Sequence, residues 1–146
     1  METGIKKDLK EIIEDNFGKA QTDLKAYSPL TLAFIGDAVF SLVIRTIIVE
    51  RGNVPVNKLH VATTKLVQAG AQADMIEAVY DDLSEEEQAV YKRGRNAKSA
   101  SSAKNASIQT YRKATGMEAL SGFLYLDGKQ ERLVELIRLG MERTGL

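Results

Sequence analysis

Apolar residues recur three and four positions apart along almost the whole chain, the spacing of one face of an α-helix. Ile5, Leu9, Ile12 and Ile13 mark a first helix that Gly18 ends. Ser28-Pro29 reads as an N-cap followed by proline at the first helical position, where its missing N–H costs nothing. The helix it opens is expected to reach Glu50. Asn53 and Pro55 repeat the device ahead of a buried stripe of Val56, Leu59, Thr63, Leu66 and Val67. Gly70 is expected to break that helix before a shorter one holding Met75, Ile76 and Val79. Ser84, with Glu87 three residues on, fits a capping box, and Gly94 reads as the end of the helix it starts. Asn96–Ser107 contains only Ala, Ser, Asn and Lys and reads as a mobile loop. A helix from Ile108 or Thr110 to Leu126 follows, with a break expected near Gly116. Asp127 then caps a last helix with Leu133, Leu136, Ile137 and Met141 inward. No run asks to be a strand and no internal repeat is visible, so the chain reads as all-α, with no sheet.

Composition narrows the chemistry. The 146 residues suit one domain. There is no Cys, which excludes disulfides, thiolate zinc sites, iron–sulfur clusters and a cysteine nucleophile. The single His, His60, excludes sites built on several imidazoles; it reads as a helix-surface or core-edge residue in preference to a catalytic base. Carboxylates, Lys, Arg, Ser/Thr and Tyr remain for catalysis. The largely apolar run without a charge, Ala38–Ile44, falls far short of the roughly 20 residues of a membrane span, and no signal peptide is visible. The expectation is a cytoplasmic protein with no membrane partner.

Two carboxylates stand alone in apolar surroundings. From Pro29 to Ile44 the only charged residue is Asp37, and from Ala114 to Leu126 it is Glu118. Both helices read as buried on most sides, so each acid needs a partner or its pKa rises. Helical neighbours three and four residues away offer no basic group: Ala33, Phe34, Phe40 and Ser41 around Asp37, and Ala114, Thr115, Ser121 and Gly122 around Glu118. Several are small enough to let two helices cross closely. A crossing at the acids would converge two carboxylates, and oxygen ligands without His or Cys favour Mg²⁺ or Mn²⁺. A lone buried acid can equally cap another helix or pair with a distant Arg.

The formal net charge of zero conceals an asymmetry. Between Gln88 and Met117 there is no acid, while Lys92, Arg93, Arg95, Lys98, Lys104, Arg112 and Lys113 supply seven positive charges. The other 116 residues therefore sum to −7. With Asn105, Gln109 and hydroxyls among them, and Tyr91 and Tyr111 at the ends, this segment suits phosphate and ribose contacts. It also fits a helix C-terminal turn followed by a solvated linker. Asp81, Asp82, Glu85, Glu86 and Glu87 read as a solvated helix start in preference to a cation site. Ser99, Ser101 and Ser102 have no base nearby in sequence.

The stretch Leu32-Ala33-Phe34-Ile35-Gly36-Asp37-Ala38-Val39 resembles the signature helix of the ribonuclease III family. Met117-Glu118-Ala119-Leu120-Ser121-Gly122-Phe123-Leu124-Tyr125-Leu126-Asp127-Gly128 resembles that family's second acidic motif. Arg93-Gly94-Arg95-Asn96-Ala97-Lys98 is similar to the Mini-ribonuclease III subgroup. The resemblance implies a helical endonuclease domain over residues 23–146, with 1–22 as a helical extension and no double-stranded RNA-binding domain. It further implies a homodimer that hydrolyses double-stranded RNA to 5′-phosphate and 3′-hydroxyl ends, with precursor large-subunit (23S) ribosomal RNA as substrate. Asp37 and Glu118 would be the catalytic residues, holding Mg²⁺ with Mn²⁺ as a substitute. Arg93, Arg95, Lys98, Lys104, Arg112 and Lys113 would contact RNA. The broader family's further acids are replaced here by Leu30, Ala33 and Thr115, which leaves more of the coordination to water and RNA. Two other readings of the same residues are a non-catalytic helical module that docks on RNA or the ribosome, and a protein–protein adaptor that sets the basic face on an acidic partner.

Overall fold

The computed structural model describes residues 7–97 and 107–146. Seven α-helices run through the described residues: α1 (Leu9–Phe17), α2 (Pro29–Glu50), α3 (Val56–Val67), α4 (Ala69–Val79), α5 (Glu85–Asn96), α6 (Ile108–Leu126) and α7 (Gln130–Thr144). Single 3₁₀ turns lie at Leu24–Ala26 and Tyr80–Asp82, and no strand occurs among the described residues.

Local chemistry starts most of these helices. Asp8 and Ser84 form reciprocal capping boxes with Glu11 and Glu87, each satisfying two backbone donors that a helix start leaves open. Ser28 and Ser107 accept from Thr31 N–H and Thr110 N–H, so α6 begins at Ile108. Gly18 ends α1 at φ 95°, a conformation open to glycine.

Five local sequence expectations are corrected. The α3–α4 break falls at Gln68, whose backbone is extended, and Gly70 sits inside α4. The start of α3 is capped by no side chain: Pro55 occupies the N-cap position itself, and Asn53 does not reach it. Gly94 and Gly116 stop nothing; they lie inside α5 and α6 where those helices touch. A Cβ on Gly94 would stand 2.6 Å from the Ala119 Cβ, and one on Gly116 would meet the Tyr91 ring at the same distance. Asp127 closes α6, while Lys129 precedes α7 without a side-chain cap.

Helix α6 is the axis of the molecule. Its residues from Ala114 to Tyr125, all but Glu118, are buried, and α2, α4, α5 and α7 pack around it. Leu32, Phe40, Ile44 and Ile48 of α2, Met75, Ile76 and Val79 of α4, and Leu133, Leu136 and Ile137 of α7 close the core. The paired arginines tie its rim: Arg132 reaches both Glu87 carboxylate oxygens at 2.9 Å, and Arg143 reaches Asp82 at 2.6 Å. Two of the acids in the run from Asp81 to Glu87 are therefore structural partners of arginine.

Helix α2 departs from the reading of a helix buried on most sides. Only the Leu32–Gly36–Phe40–Ile44–Ile48 stripe and Ala33 are covered. Phe34 is 80% exposed, Leu42 53% and Val49 58%. By length and composition alone the whole of α2, unlike its seven-residue run, would suffice to cross a membrane, but its inner stripe is packed on α6. In α1 no residue is buried.

Candidate active site

The site is set by a crossing of main chains. On α2, a Cβ at Gly36 would lie 1.7 Å from the Glu118 carbonyl oxygen. On α6, a Cβ at Gly122 would lie 2.0 Å from the Leu32 carbonyl oxygen. Neither position accepts any other residue without moving a helix. Because the backbones touch there, Asp37, next to Gly36, is brought beside Glu118. The two isolated acids of the sequence thus converge, and neither pairs with a distant Arg.

Their electrostatics follow from that contact. Burial pushes the Glu118 carboxyl up, the neighbouring Asp37 charge pushes it further, and a hydrogen bond shared between the two acids adds to both, placing it at about 8. A donated hydrogen bond from Gln72 acts in the opposite direction. No lysine or arginine is among the groups that set this value. At neutral pH the pair therefore retains a proton for want of a cation. Asp37 itself is exposed and open to solvent.

Gln72 on α4 belongs to the same site and was missed as a site residue in the sequence. It is 2% exposed. Its Nε2 donates to the Val67 carbonyl at 2.9 Å and to Glu118 Oε2 at 3.3 Å, while its Oε1 is buried without a partner among the described residues. The available signal was a polar residue three, four and seven positions before Met75, Ile76 and Val79, on the buried face of its helix.

The two carboxylates form an all-oxygen donor set, the kind Mg²⁺ and Mn²⁺ take. Among the described residues, no group of three or more His, Asp or Glu side chains gathers to hold a metal unaided. The fit is therefore to a cation that keeps several waters. The unsatisfied Gln72 oxygen points to the same conclusion, since a buried acceptor without a donor is costly.

The predicted basic residues divide. Arg93 and Arg112 are exposed. Arg95 lies 5.6 Å over the Tyr91 ring, and its Nε donates to Asn96 Oδ1 at 3.2 Å. Lys113 Nζ is 2.5 Å from Glu77 Oε1, so this lysine is paired at the surface. Arg95 and Lys113 both act on the Tyr91 hydroxyl, which joins the end of α5 to the start of α6 in one cationic patch. Lys113 and Glu118 are five residues apart on α6, about 7–8 Å along its axis. Lys98 and Lys104 lie outside the described residues, as do Ser99, Ser101 and Ser102 and most of the expected loop. His60 is exposed on α3, remote in sequence from either acid. Thr115 is buried and donates to the Tyr111 carbonyl, so it does not replace a site acid.

The chain is similar to known proteins in sequence and in fold. The Ribonuclease III domain family matches residues 30–129. A Mini-ribonuclease 3 of Thermoanaerobacter sp. is 47% identical over 138 residues, covering 94% of this chain and 97% of the relative. A Mini-ribonuclease 3 of Clostridium tetani is 52% identical over 118 residues, covering 80% of this chain and 78% of the relative. A crystal structure of a Fusobacterium nucleatum protein superposes with a TM-score of 0.75 at 30% identity, covering 84% of this chain and 94% of that one.

Proposed function

The chain belongs to the ribonuclease III family, as an endoribonuclease of the Mini-ribonuclease 3 group, and from that premise we propose that it cuts double-stranded RNA at Asp37 and Glu118. The observation that carries this assignment is the convergence of the two acids at the Gly36–Gly122 crossing, with a proton held where a cation fits.

Asp37 and Glu118 would hold the divalent cation, Mg²⁺ with Mn²⁺ as a substitute. When bound, that cation supplies a nucleophilic water at neutral pH and offsets charge on the phosphate and the leaving 3′-oxygen. The chain's own residues do the rest. Glu118 is held against Gln72 on the buried side and Asp37 faces solvent, so the phosphate arrives from the Asp37 side. Arg93, Arg95 and Arg112, with Lys98 and Lys104 outside the described residues, contact the phosphates of an A-form duplex. Such contacts read shape and backbone more than sequence. Lys113 contributes less than its sequence position promises, because it is already paired with Glu77. Hydrolysis leaves 5′-phosphate and 3′-hydroxyl ends.

The exposed apolar stripe of Phe34, Leu42 and Val49 on α2 supports a homodimer, since burying such side chains against a second copy removes them from water. Two sites per assembly then address the two strands. Within this reading the substrate is precursor 23S ribosomal RNA and the enzyme acts in the cytoplasm; residues 1–22 are an extension to the domain of residues 23–146.

The test is cleavage of an end-labelled RNA duplex with Mg²⁺, with EDTA, and by Asp37→Asn and Glu118→Gln. Both strands are cut only with metal, and both variants fold as dimers yet fail to cut. A duplex that is bound but left intact, including a structured ribosomal precursor, would replace catalysis with RNA docking.

A further inference from the structure

Gln72 is an expensive residue to place where it stands. An amide buried to 2% exposure loses its water, and each of its polar atoms then needs a partner. The orientation of the amide is fixed by its neighbours. The Val67 carbonyl and Glu118 Oε2 are both acceptors and both face Nε2. Turning the amide over would set its oxygen against the carbonyl oxygen at the end of α3, so Oε1 has to face the remaining direction. There it meets no donor among the described residues.

From this we infer that Gln72 is a third working residue of the site: its nitrogen positions the Glu118 carboxylate, and its oxygen accepts a hydrogen bond from a hydration water of the divalent cation. This rests on the metal assignment made above and extends it. It accounts for both ends of the amide at once. A residue serving only to cap the last carbonyls of α3 would need the nitrogen alone and would leave the buried oxygen unexplained. A site with two carboxylates also needs what Gln72 supplies. Outer ligands that hold a metal-binding carboxylate in one orientation commonly affect metal affinity or activity 10- to 100-fold. A cation that keeps its waters needs acceptors for their hydrogens. The role is one of positioning, because Gln72 touches neither the scissile phosphate nor the attacking water.

The experiment uses the full chain without RNA. Mn²⁺ is titrated calorimetrically into the wild type, Gln72→Met and Glu118→Gln, and kcat and KM for a saturating duplex are measured in parallel. Gln72→Met keeps the length and burial of the side chain. It is expected to fold with a modest loss of Tm, to bind Mn²⁺ 10- to 100-fold more weakly and to lower kcat by a similar factor with KM for RNA unchanged. Wild-type Mn²⁺ affinity and kcat in a folded Gln72→Met, with only Tm lowered, would reduce Gln72 to a helix cap and overturn the inference. Undiminished Mn²⁺ binding by Glu118→Gln would overturn the metal assignment and this one with it. Should Gln72→Met not fold, the ¹⁵N side-chain amide resonances of the wild type decide. Substoichiometric Mn²⁺ broadens the Gln72 amide ahead of that of Gln88 on α5, and equal broadening refutes the contact.

Discussion

Replacing Glu118 by Gln should make the metal-free protein more stable at neutral pH while abolishing cleavage. The carboxyl titrates near 4.5 in an unfolded chain and at about 8 in the folded one. Between those values the folded state binds a proton that the unfolded state releases, so stability falls as pH rises through this window. Below pH 4.5 both states are protonated and the site costs nothing on this account. Each pH unit above that value costs about 1.4 kcal/mol, which sets a ceiling of about 4 kcal/mol at pH 7.5. Water around the exposed Asp37 screens the repulsion and brings the expectation to about 2 kcal/mol. The Gln amide keeps the volume, accepts from Gln72 and cannot ionise. Urea and thermal unfolding in EDTA, at one protein concentration because a dimer adds mass action, provide the assay. The wild type should lose stability from pH 5 to 8, whereas the variant stays level and melts roughly 4–8 °C higher at pH 7.5. Mg²⁺ should raise the wild type and leave the variant unmoved. A wild type that is flat over this range, or a variant that is less stable at pH 7.5, would show that burial and the Asp37 charge do not raise the Glu118 carboxyl.

Three other outcomes follow from contacts described above. Gly36→Ala and Gly122→Ala should each cost at least about 3 kcal/mol by denaturant unfolding, because the added methyl meets main chain; Gly70→Ala, with open space around it inside α4, should gain about 0.5–1 kcal/mol. Arg132→Met strands the buried Glu87, whose carboxyl that guanidinium holds below its usual range. The loss, about 3 kcal/mol at pH 7, should shrink as pH falls through the carboxylate range and Glu87 protonates, as a pH series of unfolding curves would record. Arg93→Gln and Arg112→Gln should each lower the log–log salt slope of duplex binding by about one, and Lys113→Gln by less, in a filter-binding series over salt.

What the sequence revealed and what it hid have different physical origins. Helix starts were legible because Ser28, Ser84 and their partners act within four residues of themselves. Glycines were less so. A glycine within a helical pattern serves either as a stop or as a bare surface for a neighbour, and Gly94 and Gly116 are the second kind; the neighbour that decides lies on another helix. The two acids stood out because nothing around them in sequence could neutralise them, yet the extent of their burial did not. Phe34, Leu42 and Val49 of α2 face outward, and composition cannot say whether an apolar face meets the same chain or a second one. Gln72 carried a signal as a polar residue among Met75, Ile76 and Val79, but only the fold places its amide against Glu118. Asn53, Asp127 and Gly70 were read by their usual habits, and each lost its role to a residue one or two positions away.

The glycine crossing has a consequence for how such a molecule can change over generations. Distances between catalytic groups usually depend on side-chain packing, and drift in a core loosens them by fractions of an ångström. Here the spacing is inherited from peptide against peptide, with no rotamer between. Leucines and methionines around α6 can be exchanged by neutral drift, and the cationic surface can be rewritten for a different duplex, without retuning the acids. The same stiffness forecloses intermediates: no mutational path that enlarges either glycine leads gradually to another geometry. Variation in this architecture is therefore channelled toward what is cut and away from how it is cut.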